Sequence, residues 1–74
     1  MSLDLFLKQF GKNVARTRKS LDITQKTAAS ELGISYRYYQ SIESGAANIT
    51  LTTLYHLSDF LKTDPAVLFQ KDSS

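Results

Sequence analysis

Between Leu32 and Ser35 the chain has two residues, Gly33 and Ile34, in which to stop one helix and start another. Upstream, Thr24 is a good N-cap for the run QKTAASEL, and Gly33 is the residue that most easily takes the left-handed terminating conformation. Downstream, Ser35 caps the next run, YRYYQSIES, which Gly45 ends. A two-residue link is too short for wide antiparallel packing, so the two short helices must meet at a steep angle. The first shows Ala28, Ala29 and Leu32 on one side. Adjacent alanines on a packed face mean that another backbone comes close.

No segment alternates apolar and polar residues, and the remaining periodicity is helical. From about Leu3 to Leu21, Phe6, Phe10, Val14, Thr17 and Leu21 share a face, while Lys8, Lys12, Arg16 and Lys19 fall elsewhere. Gly11 lies inside this helix at a cost of up to ~1 kcal/mol against alanine, which a closely crossing neighbour would explain. A fourth helix is expected over 50–62, with Leu51, Leu54, Leu57, Ser58 and Leu61 inward. A fifth is expected over 64–70, capped by Asp64 with Pro65 at its first position. The fold class is therefore all-α, five short helices over 3–21, 24–32, 35–44, 50–62 and 64–70 in a single domain, with residues 71–74 a frayed tail.

The third helix carries the chemistry. Anchored on Ile42, its only aliphatic residue, the wheel turns Tyr39 inward with Ile34 and leaves Arg37, Tyr38, Gln40 and Ser41 outward. Tyr36 stands at the helix start, where the chain leaves the core. A steep helix pair whose second member offers Tyr, Arg, Tyr, Gln and Ser to solvent suits the major groove of DNA, which admits an α-helix. Arginine can bond guanine and glutamine adenine in bidentate fashion; serine is permissive, and tyrosine can meet a thymine methyl or a phosphate.

The run TQKTAASELGISYRYYQSIESG closely resembles the helix-turn-helix of the phage repressor and Cro-like (XRE) DNA-binding family. VARTRKSLDITQ resembles that family's helix-one ending, and NITLTTLYHLSDFLKTDPAVLF its fourth and fifth helices, so the likeness spans nearly the whole chain. It implies a compact lambda-repressor-like domain with the helix-turn-helix at helices two and three. It also implies base reading by Tyr36, Arg37 and Ser41, and backbone contacts by Thr24, Gln25, Tyr38, Gln40 and Asn48. Arg18 and Glu43 match a structural ion pair between helices one and three. The sequence departs from the family pattern in three places: Thr27 stands for the usual Glu, Thr17 for a leucine or isoleucine, and LKTD lacks the glycine that often ends helix four. Lys62 is therefore expected to take a left-handed turn.

Composition removes the other chemistries. There is no cysteine and one histidine, His56, so thiolate and multi-histidine metal sites and thiol nucleophiles are out of reach. No convergent set of ionisable groups or glycine-rich phosphate loop is visible, so no enzyme activity, cofactor or small-molecule ligand is expected. No apolar run approaches the ~18 residues needed to cross a bilayer. Residues 1–45 carry net +3 and residues 46–74 net −1, which permits a polyanion partner. Tyr55, Phe60, Val67 and Phe69 exceed what so small a monomer needs and are expected to form a homodimer interface. The expectation is thus a cytoplasmic, nucleoid-associated regulator of bacterial or phage origin. It would bind a palindromic operator in double-stranded DNA as a homodimer, as small controller-type regulators do, and be governed by its own concentration rather than by a second domain. The alternative is a helix-turn-helix protein-interaction module of antitoxin-like or adaptor type.

Overall fold

The structure, a computed structural model, describes residues 1–71; residues 72–74, the end of the expected frayed tail, lie outside the described residues. Four α-helices follow in order: α1 (Leu3–Ser20), α2 (Gln25–Leu32), α3 (Tyr36–Ser44) and α4 (Leu51–Phe60). Each opens on a hydroxyl cap in extended conformation. Ser2, Thr24, Ser35 and Thr50 accept from the amides of Leu5, Thr27, Tyr38 and Thr53 at 3.0–3.2 Å. The expected ranges for α2, α3 and α4 included these caps.

The fifth expected helix is not α-helical: Pro65–Phe69 is a 3-10 helix, η1. After Asp64 caps the amide of Ala66 at 2.9 Å, the segment closes with the tighter bonds from Val67 to Asp64 and from Gln70 to Val67. Five residues behind a proline give an α-helical ladder almost no room. Lys62 takes the left-handed turn expected of it, with φ 54°, and Asp22 does the same after α1, with φ 58°.

The core is Phe10, Val14, Ala28, Ala29, Tyr39, Ile42, Leu57, Leu61 and Leu68. Gly11 is buried where α3 crosses α1: a β-carbon there would press on the carbonyls of Ile42 and Glu43. Three residues assigned inward by spacing stand out instead. Phe6, Leu21 and Leu51 are exposed, Leu51 by 82%. All three sit near the end of a helix, where the neighbouring elements give at most partial cover, as the Phe69 ring gives Phe6.

Buried Asn13 fastens the C-terminal segment to α1. Its Nδ2 donates to the carbonyls of Leu68 at 3.0 Å and Gln70 at 2.8 Å, while Oδ1 accepts from Gln9 and Arg16. Phe69 stacks on Phe6 and Phe10, with ring centroids 5.5 and 5.1 Å apart. With these bonds made, no buried side-chain polar atom among the described residues lacks a partner.

Candidate nucleic-acid interface

One carboxylate sets the position of α3. Glu43 accepts from Arg18 Nε at 2.7 Å, Arg18 Nη2 at 3.1 Å and Gln25 Nε2 at 2.9 Å, and also from the Tyr39 hydroxyl. Arg18 uses its remaining Nη1 on the Ile23 carbonyl at 2.8 Å. The side chains of the pair are largely buried, 10% and 6% exposed. Helices α1, α2 and α3 therefore converge on a single ion pair whose carboxylate oxygens each accept two bonds. Burial alone would raise the Glu43 carboxyl; the bonds from Arg18, Tyr39 and Gln25 outweigh it and hold the group below the usual carboxylate value. The bond to Glu43 raises Arg18, and burial followed by the bond to Glu43 pushes the Tyr39 hydroxyl well above an ordinary tyrosine.

On this base α3 presents its outer side. Tyr36, Arg37, Gln40 and Ser44 are exposed. Lys26, from α2, lies over the Tyr36 ring at 5.7 Å from its centroid, an interhelical contact that nothing in the spacing of the sequence announced. Ser41 is half-buried and its hydroxyl donates to the Tyr38 carbonyl at 2.6 Å. Tyr38, expected outward, is half-buried against the core, because at the first turn of α3 its ring can lie back along the helix flank. Tyr39 is fully buried.

The residues expected at the DNA backbone divide. Gln40 and Asn48 are exposed. Thr24 spends its hydroxyl on its own helix, accepting from the Thr27 amide and bonding the Thr27 hydroxyl at 3.0 Å. The same paired-threonine device recurs at Thr50 and Thr53. Gln25 places its amide nitrogen on Glu43, which leaves that nitrogen's second hydrogen for another acceptor. Neither α2 nor α3 has an acidic residue in its first turn, the place where carboxylates ordinarily stabilise a helix. Both N-termini keep their partial positive charge uncovered.

The residues expected at a dimer interface also separate. Tyr55 and Phe69 are exposed, by 64% and 41%, whereas Phe60 and Val67 are half-buried, Phe60 against the core. Leu51, one turn before Tyr55, joins the exposed pair. Beside it Phe6, Phe10, Ile49, Leu54 and Phe69 line an open apolar groove of about 100 Å³. Among the described residues no helix is long and apolar enough to cross a membrane, and no cluster of His, Cys, Asp and Glu could hold a metal ion.

Comparison with known proteins agrees with this geometry. Residues 14–68 match the family described as Helix-turn-helix, HTH_3. An uncharacterized HTH-type transcriptional regulator, y4dJ, of Sinorhizobium fredii is 39% identical over 54 residues, 73% of this chain and 70% of the relative. The control protein C.MunI of a Mycoplasma species is 32% identical over 62 residues, 82% of this chain and 84% of that one. Among solved structures, the restriction-modification controller protein C.AhdI of Aeromonas hydrophila superposes with a TM-score of 0.80 at 28% identity, covering 85% of this chain and 96% of its own. An HTH_3 family transcriptional regulator from Vibrio cholerae gives 0.82 at 24% identity, over 92% of this chain and 38% of that one, a likeness of fold alone.

Proposed function

This chain belongs to the Cro/C1-type (XRE) helix-turn-helix family of transcriptional regulators, and from that premise we propose that it binds operator DNA sequence-specifically, as a homodimer, with α3 in the major groove. The observation that carries the reading is the outer side of α3. Tyr36, Arg37 and Gln40 stand exposed on a helix whose inner side is fixed by the four-fold bonded Glu43. Base reading needs side chains that reach out from a backbone that does not move. Arg37 takes the bidentate role at guanine, Tyr36 an apolar or phosphate contact steadied by Lys26, and Ser41 a smaller part from its half-buried place. The acid-free N-termini of α2 and α3, with Gln25, Gln40 and Asn48 near them or in the loop beyond, serve the phosphates.

A single reading helix spans too few base pairs for useful selectivity, so a symmetric pair is required. The exposed Leu51, Tyr55 and Phe69 supply most of its apolar surface, and the half-buried Phe60 and Val67 contribute less. A relative named as a control protein and a solved restriction-modification controller protein support a small regulator of this kind; activity in the cytoplasm follows from the DNA target.

Selection of binding sites from random duplexes, repeated with Arg37→Ala, tests the reading. Wild type should return a two-fold symmetric motif with half-sites about one helical turn apart. The variant should lose roughly 1–3 kcal/mol and relax preference at one position per half-site. Failure to enrich any motif, or a motif indifferent to Arg37, would turn the assignment toward a protein-binding module.

A further inference from the structure

The C-terminal end of α3 poses an electrostatic problem for a helix lying in a groove walled by phosphates. Nine residues make a rod about 13 Å long, comparable with a major groove about 12 Å wide. When the first turn meets the base edges, the last turn therefore comes up beside a sugar-phosphate wall. The C-terminus of a helix carries roughly half a negative charge, and the last turn of α3 contains no basic residue. Left alone, that end would repel the backbone it approaches.

The cations lie next door, on α1. At 3.6 residues per turn Lys8, Lys12 and Lys19 fall within roughly 40° of arc on the side away from the core, and all three are exposed. The first two flank the end of α3. The Gly45 backbone rests on Lys8 so closely that a β-carbon there would come within 2.7 Å of Lys8 Cα. An open groove of about 330 Å³ runs between the helices, lined by Leu5, Lys8, Gln9, Lys12, Glu43 and Ser44. Its one carboxylate, Glu43, is already neutralised by Arg18 and saturated with donors. The groove therefore holds two ammonium groups that no acid among the described residues pairs, and the exposed Ser44 hydroxyl, which donates to the Ser41 carbonyl at 3.2 Å and must turn from it to meet a phosphate.

We infer that Lys8 and Lys12 of α1, with Ser44 of α3, form a phosphate-binding groove that clamps the DNA backbone at the C-terminal end of the reading helix. This rests on the proposed DNA-binding function and adds to it a contact on α1, an element that the helix-turn-helix itself does not include. The two lysines supply affinity and fix the tilt of α3 without reading sequence, since phosphate contacts position and base contacts specify.

The test is the salt dependence of binding to a random-sequence duplex, for wild type, for Lys8→Gln with Lys12→Gln, and for a charge-matched control, Lys62→Gln with Lys71→Gln, whose lysines lie outside the groove. Each phosphate neutralised contributes about −0.9 to the slope of log K against log salt. The groove variant should lose about 1.8 from the magnitude of the slope per bound chain, the control should keep the wild-type slope, and Lys8→Arg with Lys12→Arg should restore it. Both lysines are solvent-exposed, so thermal melts should coincide. A groove variant with wild-type slope, or with no greater loss than the control, overturns the clamp while leaving the DNA-binding function intact. Wild type that binds no duplex at all overturns both.

Discussion

Glu43 shows how one side chain can hold three helices and also expose them to pH. Its carboxylate is held below the ordinary value of 4.5, so its contribution to stability is complete above about pH 4.5 and drains away as pH falls through the lowered value. Tyr39 works in the other direction. Its hydroxyl is raised above the ordinary 10.0, so what it contributes is complete below about pH 10 and is lost as pH rises beyond. Urea melts across pH should therefore show an acid limb that Glu43→Gln flattens and an alkaline limb that Tyr39→Phe flattens. Near neutral pH the two changes should differ in size. Glu43→Ala strands the buried Arg18 guanidinium and should cost ~3–5 kcal/mol, the range for breaking a buried pair on one side. Tyr39→Phe removes one donor of four from a carboxylate that stays paired and should cost ~1.5–3 kcal/mol. Equal losses would mean that the carboxylate is not the centre of the network.

At the scale of elements, close approach and tethering matter more than propensity. Gly11→Ala should gain up to ~1 kcal/mol in α1 by helix propensity, yet the new methyl would meet backbone carbonyls of Ile42 and Glu43 that cannot rotate aside. Overpacking of this kind costs ~1–3 kcal/mol, so the melting temperature should fall, and α3, pushed off α1, should lose DNA affinity with it. Asn13 makes a complementary case. Asn13→Leu keeps the branched shape but leaves the Leu68 and Gln70 carbonyls without their donor, so amide exchange should quicken across 67–70 well before global unfolding does. The helix periods, the hydroxyl caps Thr24 and Ser35 and the stops at Gly33 and Gly45 were legible in the sequence, because each rests on local rules. Gly11 could be read as a crossing point for the same reason. Asn13 could not: a lone polar residue on an apolar face announces no partner, and its partners lie 55 and 57 residues away. Nor could spacing tell that Leu21 and Leu51 run past the element that would cover them, or that Phe6 is covered on one side only, by Phe69. The outward direction of Arg37 and Gln40 was legible from the wheel, and the exposure of Tyr36 from its place at the helix start. The placement was not legible for Tyr38, whose ring folds back on the core, or for Gln25, whose amide meets a carboxylate from another helix.

For the whole molecule, size constrains how two copies could sit on one operator. The chain measures 32 × 21 × 19 Å, and two reading helices one DNA turn apart lie ~34 Å from each other. Each copy must then set its α3 roughly 17 Å from the two-fold axis, nearly the full short width of the molecule. In the proposed dimer the contact therefore belongs on an element remote from α3. Because α3 packs on α1 and α2 while α4 packs chiefly on α2 and η1, α4 meets that condition, and it carries the exposed Leu51 and Tyr55. Leu51→Glu should accordingly separate the dimer without unfolding the chain, since a side chain 82% exposed leaves no cavity behind. Sedimentation at micromolar concentration should move from twice the 8.3 kDa chain mass to the chain mass itself. The far-ultraviolet circular dichroism should not change, and the dependence of melting temperature on protein concentration should vanish. Operator affinity should fall steeply, while binding to an isolated half-site stays at the wild-type level, because α3 and its support are untouched. Leu57→Glu, one and a half turns along the same helix but fully buried, should instead abolish folding and every binding activity together. Were Leu51→Glu to sediment as wild type, the two-fold contact would have to lie elsewhere than at the start of α4.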